Sequence, residues 1–148
     1  MPEGESSRLV VDVDDLMSLV NLAAVRFNEV SARRTDAEDE PDTFRLEVSS
    51  MLSQDEIVVR CKASVAGAGG EYVAEADGVF SLSDEVDIAE AVLLDFIQRV
   101  GIMVVYPYLR IAISDGAARL GVKTPVLRLL RPGDVALGPP DGESATPG

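Results

Sequence analysis

Apolar and polar residues alternate with a period of two through much of the first half of the chain and with a helical period through much of the second. The first apolar set, Leu16, Leu19, Val20 and Ala23, has helical spacing and follows acidic residues that suit the positive end of a helix dipole. A short amphipathic helix is predicted from Asp12. Around Ala24 the period changes. Val25 and Phe27 alternate with Arg26 and Asn28, and then Val30 and Ala32 alternate with Glu29, Ser31 and Arg33, which predicts a strand with a bulge near its middle. Three further strands follow. Phe44, Leu46 and Val48 form one apolar row; Ile57, Val59, Cys61, Ala63 and Val65 form a second, ending at the turn GAGG; EYVAEADGVFSL resumes with Gly78 as a bulge or turn. Links this short leave no room for crossover helices, so the four strands make an antiparallel sheet with one face covered.

From Ser83 the period is helical. Asp87 followed by Glu90 predicts an N-cap with a returning carboxylate, and Ile88, Ala91, Val92, Leu94, Phe96, Ile97 and Val100 form a wide apolar stripe. Gly101 and Pro107 interrupt what would otherwise be a helix of over thirty residues, and a break is expected near Val105 to Pro107. A second stripe, rich in small residues, runs through Leu109, Ala112, Ile113, Gly116, Ala117 and Leu120 to a stop at Gly121 and Pro125. VLRLLRP adds one short extended segment. The predicted organisation is a flexible tail over 1–11, a single α+β domain over 12–131 and a disordered Gly/Pro-rich tail over 132–148.

Composition narrows the chemistry. At 148 residues the chain fits one domain. Its net charge of −13 repels nucleic-acid backbones and anionic membranes and favours a basic or apolar partner. No His is present and Cys61 is the only thiol, so a Ser-His-Asp triad, a Cys-His pair, most zinc sites and an internal disulfide are excluded. Catalytic and metal-ligating residues are therefore expected to be absent, and no cofactor is implied. The acidic run TDAEDEPD lacks the pattern of a calcium loop and reads as a solvated link. Glu75 and Asp77 share a strand face, but nothing nearby suggests a pocket for a small carboxylate-pair enzyme. The N-terminal residues do not read as a signal peptide, and no uncharged run approaches the roughly 20 residues that span a bilayer, so cytoplasmic localisation without membrane insertion is expected.

The stretch YPYLRIAISDGAARLGVKTPVLRLL carries a resemblance. With Tyr106, Pro107, Tyr108, Arg110, Ile113, Ser114, Asp115, Arg119, Gly121, Pro125 and Leu127, it resembles the SecB family of protein-export chaperones, as do EIVVRCKASV and EYVAEADGVFSL upstream. The resemblance implies an α+β protomer with a four-stranded antiparallel sheet followed by long packed helices, assembled as a dimer of dimers. It also implies an ATP-independent holdase for unfolded polypeptides or preproteins. Client-binding candidates are Leu46, Val48, Phe96, Val104, Tyr106 and Tyr108; Arg110 is expected to pair with a carboxylate near the helix break. The family docks the SecA translocase ATPase through acidic residues on the open sheet face, where Glu29 and Glu75 fall at matching places but Arg33 replaces an expected carboxylate. The N-terminal helix and short acidic loop are similar to stand-alone SecB-like proteins, some dedicated to an antitoxin. A non-chaperone adaptor with the same fold, binding one folded partner, is the alternative from another functional class.

Overall fold

A computed structural model describes residues 8–36, 41–127, 130, 131 and 135. Ten elements follow in order: β1 (Arg8–Val10), α1 (Val13–Met17), β2 (Val20–Arg34), β3 (Thr43–Leu52), β4 (Glu56–Gly67), β5 (Gly70–Leu82), β6 (Val86–Ile88), α2 (Glu90–Phe96), a π-helical turn (Ile97–Gly101) and α3 (Ile102–Leu120). The main sheet has the order β2-β5-β4-β3, antiparallel throughout. β1 and β6 form a separate parallel pair.

The predicted rows of β4 and β5 make the covered face of the sheet. Ile57, Val59, Cys61, Ala63 and Val65 are buried, as are Tyr72, Ala74, Ala76 and Phe80. Many of these side chains are small, so α3 can lie close across β5, with β2 and β4 to either side. The helix contributes Ile102, Val105, Leu109, Ile113 and Ala117. Each large aliphatic side chain so buried contributes roughly 1.5–3 kcal/mol to folding. The bulge predicted in the first strand is present: the β2–β5 register shifts between Phe27 and Glu29, and a second shift lies between Leu22 and Ala24. Phe27 and Val30 thereby both face α3, although the sequence changes parity between them. The GAGG turn joins β4 to β5, with positive φ at Ala68 and Gly69.

Five expectations need correction. The first helix is capped by Asp12, whose carboxylate accepts from the Asp14 N–H at 2.8 Å, but it ends at Met17. Val20, Asn21 and Leu22 instead pair with Leu82, Ser81 and Phe80, so sheet pairing overrides the helical spacing. Within the stretch read as a tail, Arg8–Val10 form a strand with Val10 fully buried; residues 1–7 lie outside the described residues. Asp87 is not an N-cap, because it pairs with Leu9 in extended backbone; the cap is Ala89, whose N–H goes to the Val10 carbonyl at 3.2 Å. Gly78 is neither a bulge nor a turn but sits in regular register between Val25 and Val59, facing Val105.

The fifth correction concerns Pro107. It lies inside α3 without ending it, and Glu90 to Leu120 forms one 31-residue helix. Among the described residues, the departure from α geometry in this helix is the π turn at Ile97–Gly101, where the Ile102 N–H reaches back to the Ile97 carbonyl. By length and a mean hydropathy of 1.4 the helix could cross a membrane, but half of its apolar window is buried within the protein. It ends at Gly121, φ 72°, where Gly121 N–H donates to Ala118 and Val122 N–H to Ala117, both at 3.1 Å, a Schellman closure. Of the expected C-terminal tail, only Val135 is among the described residues.

Candidate functional site

Two apolar surfaces flank α3, and they divide the candidate client residues. Successive helical residues advance by about 100°, so Tyr106 points about 200° away from both Val104 and Tyr108. Tyr106 is buried on the β3 side, its ring edge-on to Phe44 with centroids 6.2 Å apart. Leu46 and Val48 follow Phe44 along the same face of β3, half-buried against the core. The Arg110 guanidinium lies 6.0 Å above the Tyr106 ring, a cation–π geometry where a carboxylate partner near a helix break was expected.

Tyr108 belongs to the opposite flank. There α3 and β2 border a groove of about 510 Å³ whose apolar lining includes Phe27, Val30, Tyr108 and Ile111. These four side chains are 43%, 56%, 42% and 59% exposed. Phe27, Val30 and Ile111 were not among the candidates, because alternation and helical spacing mark a face as apolar without saying whether it is covered. Val104 is half-buried on the same side of the helix as Tyr108. Phe96 joins neither surface. It is fully buried, edge-on to Phe80 at 5.1 Å, and reaches a client only if the core opens.

The open sheet face is a ladder of compensated charge. Glu29 lies directly opposite Glu75, and Glu75 is in turn opposite Lys62, whose ammonium is 3.9 Å from Glu29. Arg33 pairs with Glu71, and Arg45 with Glu47. At the centre Asp77, 3% exposed, accepts from Arg60 Nε at 2.7 Å and Nη2 at 3.0 Å, and from Asn28 Nδ2 at 3.0 Å. Asn28 reaches it from the β2 bulge between Phe27 and Glu29. The Arg60 hydrogen bonds, helped by Asn28, hold the Asp77 carboxyl below the usual carboxylate range despite burial, which acts in the opposite sense. Asp77 is thus a fixed anion with its acceptors engaged, and it is not set up for proton transfer with Glu75, which shares its strand face.

Burial, with a smaller contribution from the Asp77 charge, pushes the Cys61 thiol up to about 12. It is a core residue. The buried Tyr72 hydroxyl has no hydrogen-bond partner among the described residues, and burial raises its pKa. Among the described residues, no group of three or more Cys, Asp or Glu side chains is gathered to hold a metal ion.

The sequence is 40% identical over 137 residues to the SecB-like chaperone SmegB of Mycolicibacterium smegmatis, a match covering 93% of each chain. The chain belongs to the SecB-like chaperone family. A solved structure of the Rv1957 SecB-like chaperone of Mycobacterium tuberculosis, in complex with a ChAD peptide from the Rv1956 HigA1 antitoxin, shares the SecB-like fold. The TM-score is 0.68 over 79% of this chain and 91% of that one, at 19% identity. No family model matches. The α+β architecture, a four-stranded antiparallel sheet with a long C-terminal helix, is therefore that of a SecB-like chaperone.

Proposed function

We propose that this protein is a cytoplasmic, ATP-independent holdase that takes extended apolar segments of unfolded polypeptides, with no catalytic step and no cofactor. The observation that carries the reading is the presence of two apolar surfaces on one core helix. A half-buried row, Leu46 and Val48 beside Tyr106, lies on the β3 side, and a broad exposed stripe lies on the β2 side. The half-buried row is the client groove. An extended segment sets alternate side chains on one face and can lie along such a row. The broad stripe is the contact with a second copy: it runs beside a 15-residue edge strand, and an isologous dimer needs one self-complementary patch of this kind. A pair of such dimers makes the expected tetramer.

The relative solved with an antitoxin peptide supports a dedicated client of antitoxin type as the substrate class. The compensated sheet face argues in the same direction. Lys62 and Arg60 neutralise the carboxylates around Glu29 and Glu75, so docking of the SecA ATPase on an acidic patch is weak or lost. The net charge of −13 keeps a client-loaded assembly soluble and attracts basic, apolar segments. Site-specific photocrosslinking tests the assignment of the two flanks. A photoreactive residue at Val48 traps an unfolded polypeptide and one at Val30 traps a second copy of the chain; the reverse pattern would overturn it.

A further inference from the structure

β3 is an edge of the main sheet, with β4 as its neighbour in the order β2-β5-β4-β3. The direction of its main-chain groups follows from the hairpin that joins the two strands, where the Ser53 N–H donates to the Glu56 carbonyl at 2.9 Å. Ser53 and Glu56 are thus a hydrogen-bonded pair, and in an antiparallel ladder such pairs alternate with non-bonded ones. Counted back through the register, Thr43, Arg45, Glu47, Ser49 and Met51 turn their N–H and C=O groups towards β4. Leu46, Val48, Ser50 and Leu52 turn theirs outward. Among the described residues, no strand pairs with that outer edge from Leu46 to Leu52. Leu46 and Val48, whose side chains form the half-buried row, therefore also present main-chain donors and acceptors.

A bulge, a proline or a charge pointing into the core normally blunts such an edge. β3 has none of these. It pairs with β4 without a register shift, and its core-facing side chains are Phe44, Leu46, Val48, Ser50 and Leu52. The opposite edge strand, β2, carries two register shifts. On the open face of β3, Arg45 and Glu47 neutralise each other at 3.2 Å. The long helix lies over β5, β2 and β4 and leaves the core face of β3 half covered. We propose that an unfolded client segment binds as a fifth strand on β3, hydrogen-bonded to the main chain of Leu46, Val48 and Ser50. This mode of binding rests on the reading of that flank as the client groove and adds the main chain as a recognised element. Donors and acceptors that repeat every two residues, about 6.8 Å, match an extended backbone, and in a folded protein such groups are already paired. The added strand also sets alternate side chains beside Leu46 and Val48. Main-chain bonds read no sequence, so many segments fit provided that apolar residues alternate.

The test uses the full chain and a fluorescein-labelled peptide of about ten residues in which Val alternates with Arg and Ser, followed by fluorescence anisotropy. In an added strand alternate peptide N–H groups face β3 and the others face solvent. N-methylation of one alternate set of amides therefore weakens the Kd by about a hundredfold, and N-methylation of the other set changes it by less than about twofold. On the protein side, Ser50→Pro removes one outward N–H at a position where an edge strand tolerates proline. It weakens the Kd by about fivefold, and Ser50→Ala leaves it unchanged. Equal binding of the two methylated peptides would overturn strand addition; with binding still lost in the Leu46→Asp, Val48→Asp variant, the groove reading would stand. Failure of the unmodified peptide to bind would sink the groove reading and strand addition together. Peptide binding that halves the mass of the assembly by sedimentation equilibrium would assign the edge to a second copy and overturn the proposal.

Discussion

Gly101 stands against Val59 so closely that a β-carbon on the glycine would lie 2.8 Å from Val59 Cγ2. This contact sets how near the π turn of the long helix comes to the middle of β4. Alanine in place of glycine normally favours a helix by up to about 1 kcal/mol. Here the added methyl must push against a β-branched side chain in the core, at a cost of about 1–3 kcal/mol. Gly101→Ala is therefore expected to lower stability on balance, measured as the urea midpoint; a raised midpoint would show that the helix can move off the sheet.

Asp77 gives a pH dependence with a defined sign. Its folded pKa is depressed, so its contribution to stability is present above the unfolded value of about 3.9 and is lost as pH falls through the folded value. Asp77→Asn should cost about 1.5–3 kcal/mol at neutral pH. The cost stays in this range because Arg60, 44% exposed at its side chain, keeps water as an alternative partner. The stability gap between native and variant chains should be constant from neutral pH down to about pH 5 and should close below about pH 4. A gap that widens towards acid would contradict the assignment.

Much of the fold could be read from residue patterns, and where the reading failed the cause was tertiary. The β4 and β5 rows, the β2 bulge, the helix start near Asp12 and the Gly121 stop are local signals, and each is present. The helical spacing of Leu16 to Ala23 and the Asp87–Glu90 pair were equally clear locally. They failed because strands distant in sequence recruit those backbones: β5 pairs with Val20 to Leu22, and β1 with Asp87. Pro107 removes a helical donor, but the helix continues because Val105, Tyr106 and Leu109 around it are anchored in the core. The candidate site was legible as a set of apolar residues and not as a geometry. Phe96, Tyr106 and Tyr108 look alike in sequence yet belong to the core, to the β3 flank and to the β2 flank.

The β2 flank makes a prediction about assembly. Ile111 and Val30 are more than half exposed in the isolated chain and lie across one groove. Changing both to Asp should reduce the proposed dimer of dimers to a smaller species by sedimentation equilibrium, with the circular dichroism of the fold retained. An unchanged mass would place the subunit contact elsewhere.

Cys61 should be inert in the folded protein. With its thiol buried and held largely protonated, reaction with a disulfide reagent at pH 8 should be slower by orders of magnitude than in denaturant and should follow global unfolding. Rapid native-state labelling would mean that the sheet opens locally at β4.

The central claim is that this SecB-like protein holds unfolded chains along the β3 flank without nucleotide. Light scattering of thermally denaturing citrate synthase, in the absence of ATP, tests it most directly when the native chain is compared with a Leu46→Asp, Val48→Asp variant of the same oligomeric size. The account predicts suppression by the native chain that saturates near stoichiometric amounts and is largely lost in the variant. Equal suppression by both proteins, or none by the native chain in excess, would contradict it.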